Sequence, residues 1–324
     1  MDGTLNVDNL YLGARGQLTL AATGQISVSS GLYLHAWTQT TVAQGAVIGT
    51  SSSLFSIPTI EIGFNATMTF AQTNVTIEAT SFTMRSDSML VTSGTGRKTT
   101  VKADSFTMED GSVIDLNGGG SISGPGSGSG TQGASYGGEG AGNLNTAYGS
   151  AIDPVDFGSG TGSAAGGGII EIIASGTAEV DGTLSVDGEQ DGASGGSIYI
   201  NAQTLKGHGN ITANGGNSSD GGGSGGRIRI DVTSLTSFIG AITAYGGSGT
   251  SAGAAGTIYK TYEVSGGSQV RMVYVNNNGV VSTSTTLIKG VTDITDLQIE
   301  QHGQAMFDET GTTISVTKIS GDFI

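Results

Sequence analysis

Gly167-Gly168-Ile169-Ile170-Glu171-Ile172, Gly195-Gly196-Ser197-Ile198-Tyr199-Ile200, Gly225-Gly226-Arg227-Ile228-Arg229-Ile230 and Gly256-Thr257-Ile258-Tyr259 are four copies of one phrase. Ile170 is answered by Ile198, Ile228 and Ile258 at nearly equal steps along the chain. Recurrence at an interval of roughly 20 to 50 residues marks a repeat architecture rather than a single globular core. Within each copy the isoleucines alternate with other side chains, the period of a strand that buries one face. Between the copies a second element recurs: Gly182-Thr183-Leu184-Ser185-Val186-Asp187-Gly188, Gly209-Asn210-Ile211-Thr212-Ala213-Asn214-Gly215 and Gly240-Ala241-Ile242-Thr243-Ala244-Tyr245-Gly246. A weaker strand is expected around Val180, Leu205 or Leu235. The glycines bracketing the strands fit corners that need positive φ or close backbone approach.

The same rhythm runs through the first third of the chain with other residues. Leu10-Tyr11-Leu12, Leu32-Tyr33-Leu34, Ile60-Glu61-Ile62, Phe82-Thr83-Met84 and Phe106-Thr107-Met108 follow one another at the interval of one coil, and Leu297-Gln298-Ile299 returns near the end. A second apolar set follows each phrase (Leu18 and Leu20, Met68 and Phe70, Leu90, Ile114 and Leu116), and a third closes some coils (Ile26 and Val28, Val75 and Ile77). Three short strands per coil, joined by tight corners, predict an all-β chain folded as a right-handed parallel β-helix, a β-solenoid, with a glycine-rich inserted loop. About a dozen coils rising about 4.8 Å each place Leu10, Leu18, Ile26, Ile60, Phe82, Phe106, Ile198, Ile228 and Ile258 inward. The expected organisation is one continuous solenoid: N-terminal coils over 1–117, a Gly/Ser-rich insertion over 118–168 packed on a face of the rod, Gly-rich repeats over 169–260, and C-terminal coils over 261–324.

Composition agrees. Glycine is 58 of 324 residues and charged residues are 12%, yet hydrophobic residues reach 36% and no Gly-X-Y period is present, so the chain is neither a disordered polyampholyte nor a collagen. Twelve Lys and Arg against 27 Asp and Glu give a net charge of −15. Nucleic acid is therefore not an expected partner, because phosphate contacts need clustered cations. With no cysteine there is neither a disulfide framework nor a thiolate metal site. No unbroken apolar run approaches the length of a membrane span, so no membrane insertion is expected either.

From Tyr136-Gly137-Gly138 through Gly256-Thr257-Ile258-Tyr259 the chain resembles the glycine-rich repeats of large extracellular, adhesin-like parallel β-helix proteins of bacteria or protists. That resemblance covers 136–259 and is compositional. It implies surface attachment or a structural filament, at an extracellular or cell-surface location, and no defined ligand.

Enzymatic chemistry finds little to build on. Some β-helices cleave polysaccharides with clustered carboxylates and a basic partner. Here Asp87 and Asp110 are the pair that a repeat would stack, with Lys102 and Arg85 as basic neighbours, and no catalytic residue is expected. His35, His208 and His302 stand apart with no metal-ligand spacing, and no cofactor is expected. The one metal the residues permit is calcium, through oxygen ligands at 215–221 or at Asp153 and Asp156. Surface glycans are a further expected partner class, with Tyr199, Tyr245 and Tyr259 as contact candidates. Asn65, Asn74, Asn210 and Asn217 head N-glycosylation sequons that matter if the source is a eukaryotic secretory protein.

Asp2-Gly3-Thr4-Leu5-Asn6-Val7-Asp8 matches Asp181-Gly182-Thr183-Leu184-Ser185-Val186-Asp187 at six of seven positions. The chain is thus expected to open inside a repeat. Leu5, Val7 and Leu10 at one end, and Ile314, Val316 and Ile324 at the other, are the residues expected to meet flanking domains of a longer chain or an end-to-end neighbour in a filament.

Overall fold

The computed structural model describes residues 3–20, 24–42, 47–48, 54–144, 146–264, 266–308 and 313–321. Among them there is no helix: the chain is all-β, and most of its strand pairs are parallel. A 15-stranded sheet passes in order through Gly3–Leu12, Gly24–Leu34, Thr59–Ile62, Asn74–Met84, Lys98–Met108, Ile169–Ala174, Ser197–Gly207, Arg227–Phe238 and Thr257–Glu263. An 8-stranded sheet collects the short strands between them, with Gln17–Leu20 at one edge and Ala241–Thr243 at the other.

Equivalent residues of successive repeats pair with one another. Leu10, Leu32, Ile60, Phe82 and Phe106 form one in-register column of the larger sheet, and Ile170, Ile198, Ile228 and Ile258 another. In the smaller sheet Leu18, Thr40, Met68, Leu90, Ile114, Leu184, Ile211 and Ile242 align in the same way. Of the nine residues expected to face inward, seven are buried, and Leu10 and Leu18 are partly buried against the same core. The Phe82 and Phe106 rings lie parallel at 5.6 Å between centroids, so identical side chains one repeat apart pack face on face.

Two expectations change. In several repeats the third strand is not separate: Ile26 and Val28 share the strand Gly24–Leu34 with Leu32 and Leu34, and Val75 and Ile77 share Asn74–Met84 with Phe82 and Met84, whereas Ile169–Ala174 and Thr177–Val180 stay apart. The strands run through Ser29-Ser30-Gly31 and Ala79-Thr80-Ser81 without a turn, with a register shift where Val28 and Gly31 face Val7 and Asn9. The opening match to 181–187 also does not make the two segments equivalent. Gly3–Leu12 lies in the large sheet, with Leu5 opposite Ile26, whereas Thr183–Ser185 lies in the small one, with Leu184 opposite Ile114. Local pattern specifies a strand, and the neighbouring repeat decides which ladder it joins.

One corner recurs at a left-handed residue: Arg15, Trp37, Asn65 and Asp87 have φ of 61°, 56°, 52° and 57°, and Gly111 takes 73°. These corners are bonded between repeats. Arg15 N donates to Ala36 O at 3.1 Å, Trp37 N to Phe64 O at 2.9 Å, Asn65 N to Ser86 O at 3.0 Å and Asp87 N to Asp110 O at 3.1 Å. A left-handed conformation costs about 1–2 kcal/mol per non-glycine residue, and it is offset as four otherwise orphaned donors find partners.

The parallel run ends at Thr257–Glu263, which pairs antiparallel with Gln269–Asn276. There the buried face changes. Ile258 belongs to the main core, while its neighbour Tyr259 belongs to a second cluster with Val273, Val275, Ile288, Ile294 and Leu297. The column Ile172, Ile200, Ile230 terminates in Lys260, whose ammonium pKa burial pushes down.

The glycine column Gly196, Gly226, Gly256 yields a prediction. A Cβ at Gly226 would come closer than 3.0 Å to the Gly196 carbonyl oxygen, whereas one at Gly13 meets nothing within 4 Å. Gly226→Ala is expected to cost about 2 kcal/mol or more in urea unfolding, and Gly13→Ala less than about 0.5 kcal/mol. Equal effects would show that the close backbone approach does not matter.

Candidate functional site

Residues 118–168 lie against the glycine-rich repeats by backbone contact. Ala134 N donates to Gly192 O at 2.8 Å, Gly137 N to Gly225 O at 3.1 Å and Glu139 N to Thr285 O at 2.9 Å, while Ser224 N and Ala254 N return bonds to Ala134 O and Glu139 O at 2.9 Å each. The fastening side chain is Arg227, fully buried. Its Nη2 and Nε donate to Tyr148 O at 2.6 and 3.1 Å, and Nη1 donates to Thr257 Oγ1 and Leu287 O, both at 3.0 Å. The guanidinium also lies 5.4 Å from the centre of the Tyr136 ring. Tyr136 Oη donates to Ser197 Oγ at 2.7 Å, which passes the bond on to Asp156 O at 2.6 Å. Burial pushes the Tyr136 phenol up to about 12 and raises Tyr148 as well.

On these repeats an open groove of about 430 Å³ is lined by Asp187, Gly188 and Gln190, then Asn214, Gly215 and Asn217, then Tyr245, Gly246 and Ser248, and ends at Asn278 and Val280. The lining repeats because the backbones do: Gly188 N donates to Asn214 O at 2.9 Å and Gly215 N to Tyr245 O at 2.8 Å. An Asx ladder holds the inner wall. Asn117 Oδ1 accepts from Asp187 N at 2.5 Å, Asp187 Oδ1 from Asn214 N at 2.5 Å, and Asn214 Oδ1 from Tyr245 N at 2.8 Å. Burial pushes the Asp187 carboxyl pKa up, against hydrogen bonds from Asn214, Thr212 and Ser185 that lower it. Tyr245 was visible as a contact candidate in the sequence; the ladder was not, although its signal is there in Asp187-Gly188 and Asn214-Gly215.

Of the residues weighed for catalysis, Asp87 and Asp110 are stacked neighbours, Asp87 N donating to Asp110 O at 3.1 Å, while Arg85 and Lys102 are engaged with other carboxylates. Arg85 bridges Glu61 at 3.1 Å and Glu109 at 2.7 Å, and Lys102 pairs with Glu78 at 3.1 Å. The Asp110 carboxylate meets His208, whose Nε2 and Nδ1 lie 2.9 Å from Asp110 and 2.8 Å from Asp181. Spacing alone had left that histidine solitary. His35 lies beside the Tyr11 ring at 6.2 Å, and His302 takes a left-handed turn position.

Tyr199 belongs to a network with Asn201, Asp231 and Arg229, and Tyr259 is buried in the second cluster, so of the three tyrosines Tyr245 alone borders the groove. Among the described residues no group of three His, Asp or Glu side chains is placed to hold a metal. Of the calcium candidates, Asp153 and Asp220 are exposed and Asp156 is partly buried beside the Tyr136 network.

Sequon residues Asn65, Asn74, Asn210 and Asn217 are all exposed. At the ends, Leu5, Val7 and Leu10 pair with Ile26, Val28 and Leu32, while Ile314 and Val316 pack against the second cluster of the same chain. Ile324 lies outside the described residues. Comparison with known families, curated proteins and solved structures finds no match to this chain.

Arg227→Met is expected to destabilise by about 3–5 kcal/mol, because it strands buried carbonyls and removes the fastening. Limited proteolysis should then cut within 121–163 before the strands; an unchanged cleavage order would contradict this. A pH effect follows from Tyr136. Its folded pKa, about 12, lies above the unfolded value of about 10, so the stability it contributes is complete below pH 10. It is lost as pH rises from 10 to 12. Unfolding midpoints measured from pH 8 to 12 should fall only above about 10, and Tyr136→Phe should flatten that fall.

Proposed function

We propose that this chain is a right-handed parallel β-helix with an extracellular structural or adhesive role, either a segment of a longer rod or a subunit that stacks end to end into a filament. The observation that carries the reading is the in-register pairing of equivalent residues from one repeat to the next, Leu10 on Leu32 and Ile198 on Ile228. Such an architecture grows in length without enlarging its core cross-section, which suits reach and surface display. The scarcity of cations supports it too. Among the described residues eight of the twelve Lys and Arg are paired with carboxylates, which leaves an acidic surface suited to display rather than to gripping polyanions.

Electron microscopy of native material, with the mass of the denatured chain, tests the proposal. Rods or fibres are expected, carried at the cell surface or in the medium when source cells are fractionated. Compact particles recovered with the cytosolic fraction would overturn it.

A further inference from the structure

The groove on the glycine-rich repeats is lined by the equivalent positions of three successive repeats, and that repetition of positions says what it holds. One outer wall is Gln190, Asn217 and Ser248, one residue per repeat, and all three are exposed. The ladder ending in Tyr245 and the backbone of Gly188, Gly215 and Gly246 line the same groove. Because successive repeats are spaced by about 4.8 Å, a ligand lying along the groove meets equivalent groups at equal intervals. A linear polymer matches such a site; a compact metabolite would use one repeat and leave the others idle.

The chemistry of the wall narrows the polymer. Asn217 Oδ1 is taken by Ser248, whose N and Oγ donate to it at 2.8 and 2.9 Å, so its amide N–H groups are left to face outward. Among the described residues the Gln190 amide and the Tyr245 hydroxyl have no hydrogen-bond partner. Amides, a hydroxyl and a half-buried aromatic ring beside glycine backbone recognise hydroxyl-rich rings. Asp187 on the inner wall and the net charge of −15 oppose a polyanion. The exposed aromatics elsewhere already use one ring face each, Tyr11 stacking on Tyr33 at 4.8 Å and Arg15 lying 5.9 Å from the centre of the Trp37 ring.

We propose that the groove lined by Gln190, Asn217 and Tyr245 binds a linear neutral polysaccharide running across successive repeats. The proposal rests on the extracellular adhesive reading and gives it a ligand class.

Calorimetric titration of the intact chain with cellohexaose, laminarihexaose and mannohexaose, and with polygalacturonate as the anionic control, tests it. At least one neutral hexasaccharide is expected to bind at least tenfold more tightly than its disaccharide. Binding should weaken at least tenfold in Gln190→Ala/Asn217→Ala, whose fold is checked by far-UV circular dichroism because Asn217 Oδ1 accepts bonds from Ser248, and about threefold or more in Tyr245→Phe. Absence of binding to all three neutral hexasaccharides, preference for polygalacturonate, or affinity untouched by the double variant would each overturn the assignment. Attachment of the double variant to source cells at wild-type level, together with lost hexasaccharide binding, would keep the groove assignment and separate it from attachment. Wild-type rods that fail to attach to cells would count against the adhesive reading alone.

Discussion

The contact on which the rest depends is backbone against backbone. At Gly196, Gly226 and Gly256 a Cβ would fall closer than 3.0 Å to the carbonyl of the preceding repeat, and at Gly137 it would meet Gly226 in the same way. With no side chains in the way, extended segments that make no ladder of their own approach closely enough to hydrogen bond across. In that way many peptide groups of 118–168 find partners without a strand among the described residues. The conformational entropy that glycine loses on ordering is offset by the number of these bonds rather than by apolar burial. The apolar columns before residue 117 continue after it through Ile170, Ile198 and Ile228, and there glycine contact and buried Ser hydroxyls are added to them.

Arg227 is the exception within the glycine half. A cation without a carboxylate partner is placed where carbonyls converge, and four donated bonds and a tyrosine face take the place of its hydration. Its bonds reach Tyr148, Thr257 and Leu287, three places far apart in sequence. One side chain thus fixes the insertion, the strand after it and the C-terminal segment in a single geometry. The surface pairs, such as Arg85 with Glu61 and Glu109, add at most about 1 kcal/mol each and decorate the repeat rather than define it.

Much of the strand content was legible because both the alternation within a strand and the return of each phrase one repeat later show in the residues themselves. Ile198, Ile228 and Ile258 were readable as core from spacing alone. The merging of two apolar sets into one long strand was harder to see, since Ser-Ser-Gly between Val28 and Leu32 reads equally as turn or as strand. The reversal at Thr257–Glu263 was invisible because Val273-Tyr274-Val275 has the same alternation whether its neighbour runs parallel or antiparallel. Tyr245 could be named, but the groove around it depends on which glycine segments lie side by side, and composition does not order glycines. Arg227 sat unremarked inside a strand phrase because burial of a cation has no signature in spacing.

The insertion touches the repeats one after another: Ser159 meets Ser194, Ala134 meets Gly192 and Ser224, Gly137 meets Gly225, and Glu139 meets Ala254 and Thr285. It therefore works as a ruler. An array of in-register repeats would ordinarily gain or lose a unit by recombination, since each copy offers its neighbours the same surface. Here a duplicated unit between Gly196 and Gly226 would have no stretch of 118–168 to cover it and would carry Thr257 and Leu287 away from Arg227. A change in the number of glycine-rich repeats would therefore need a matching change in the length of the insertion.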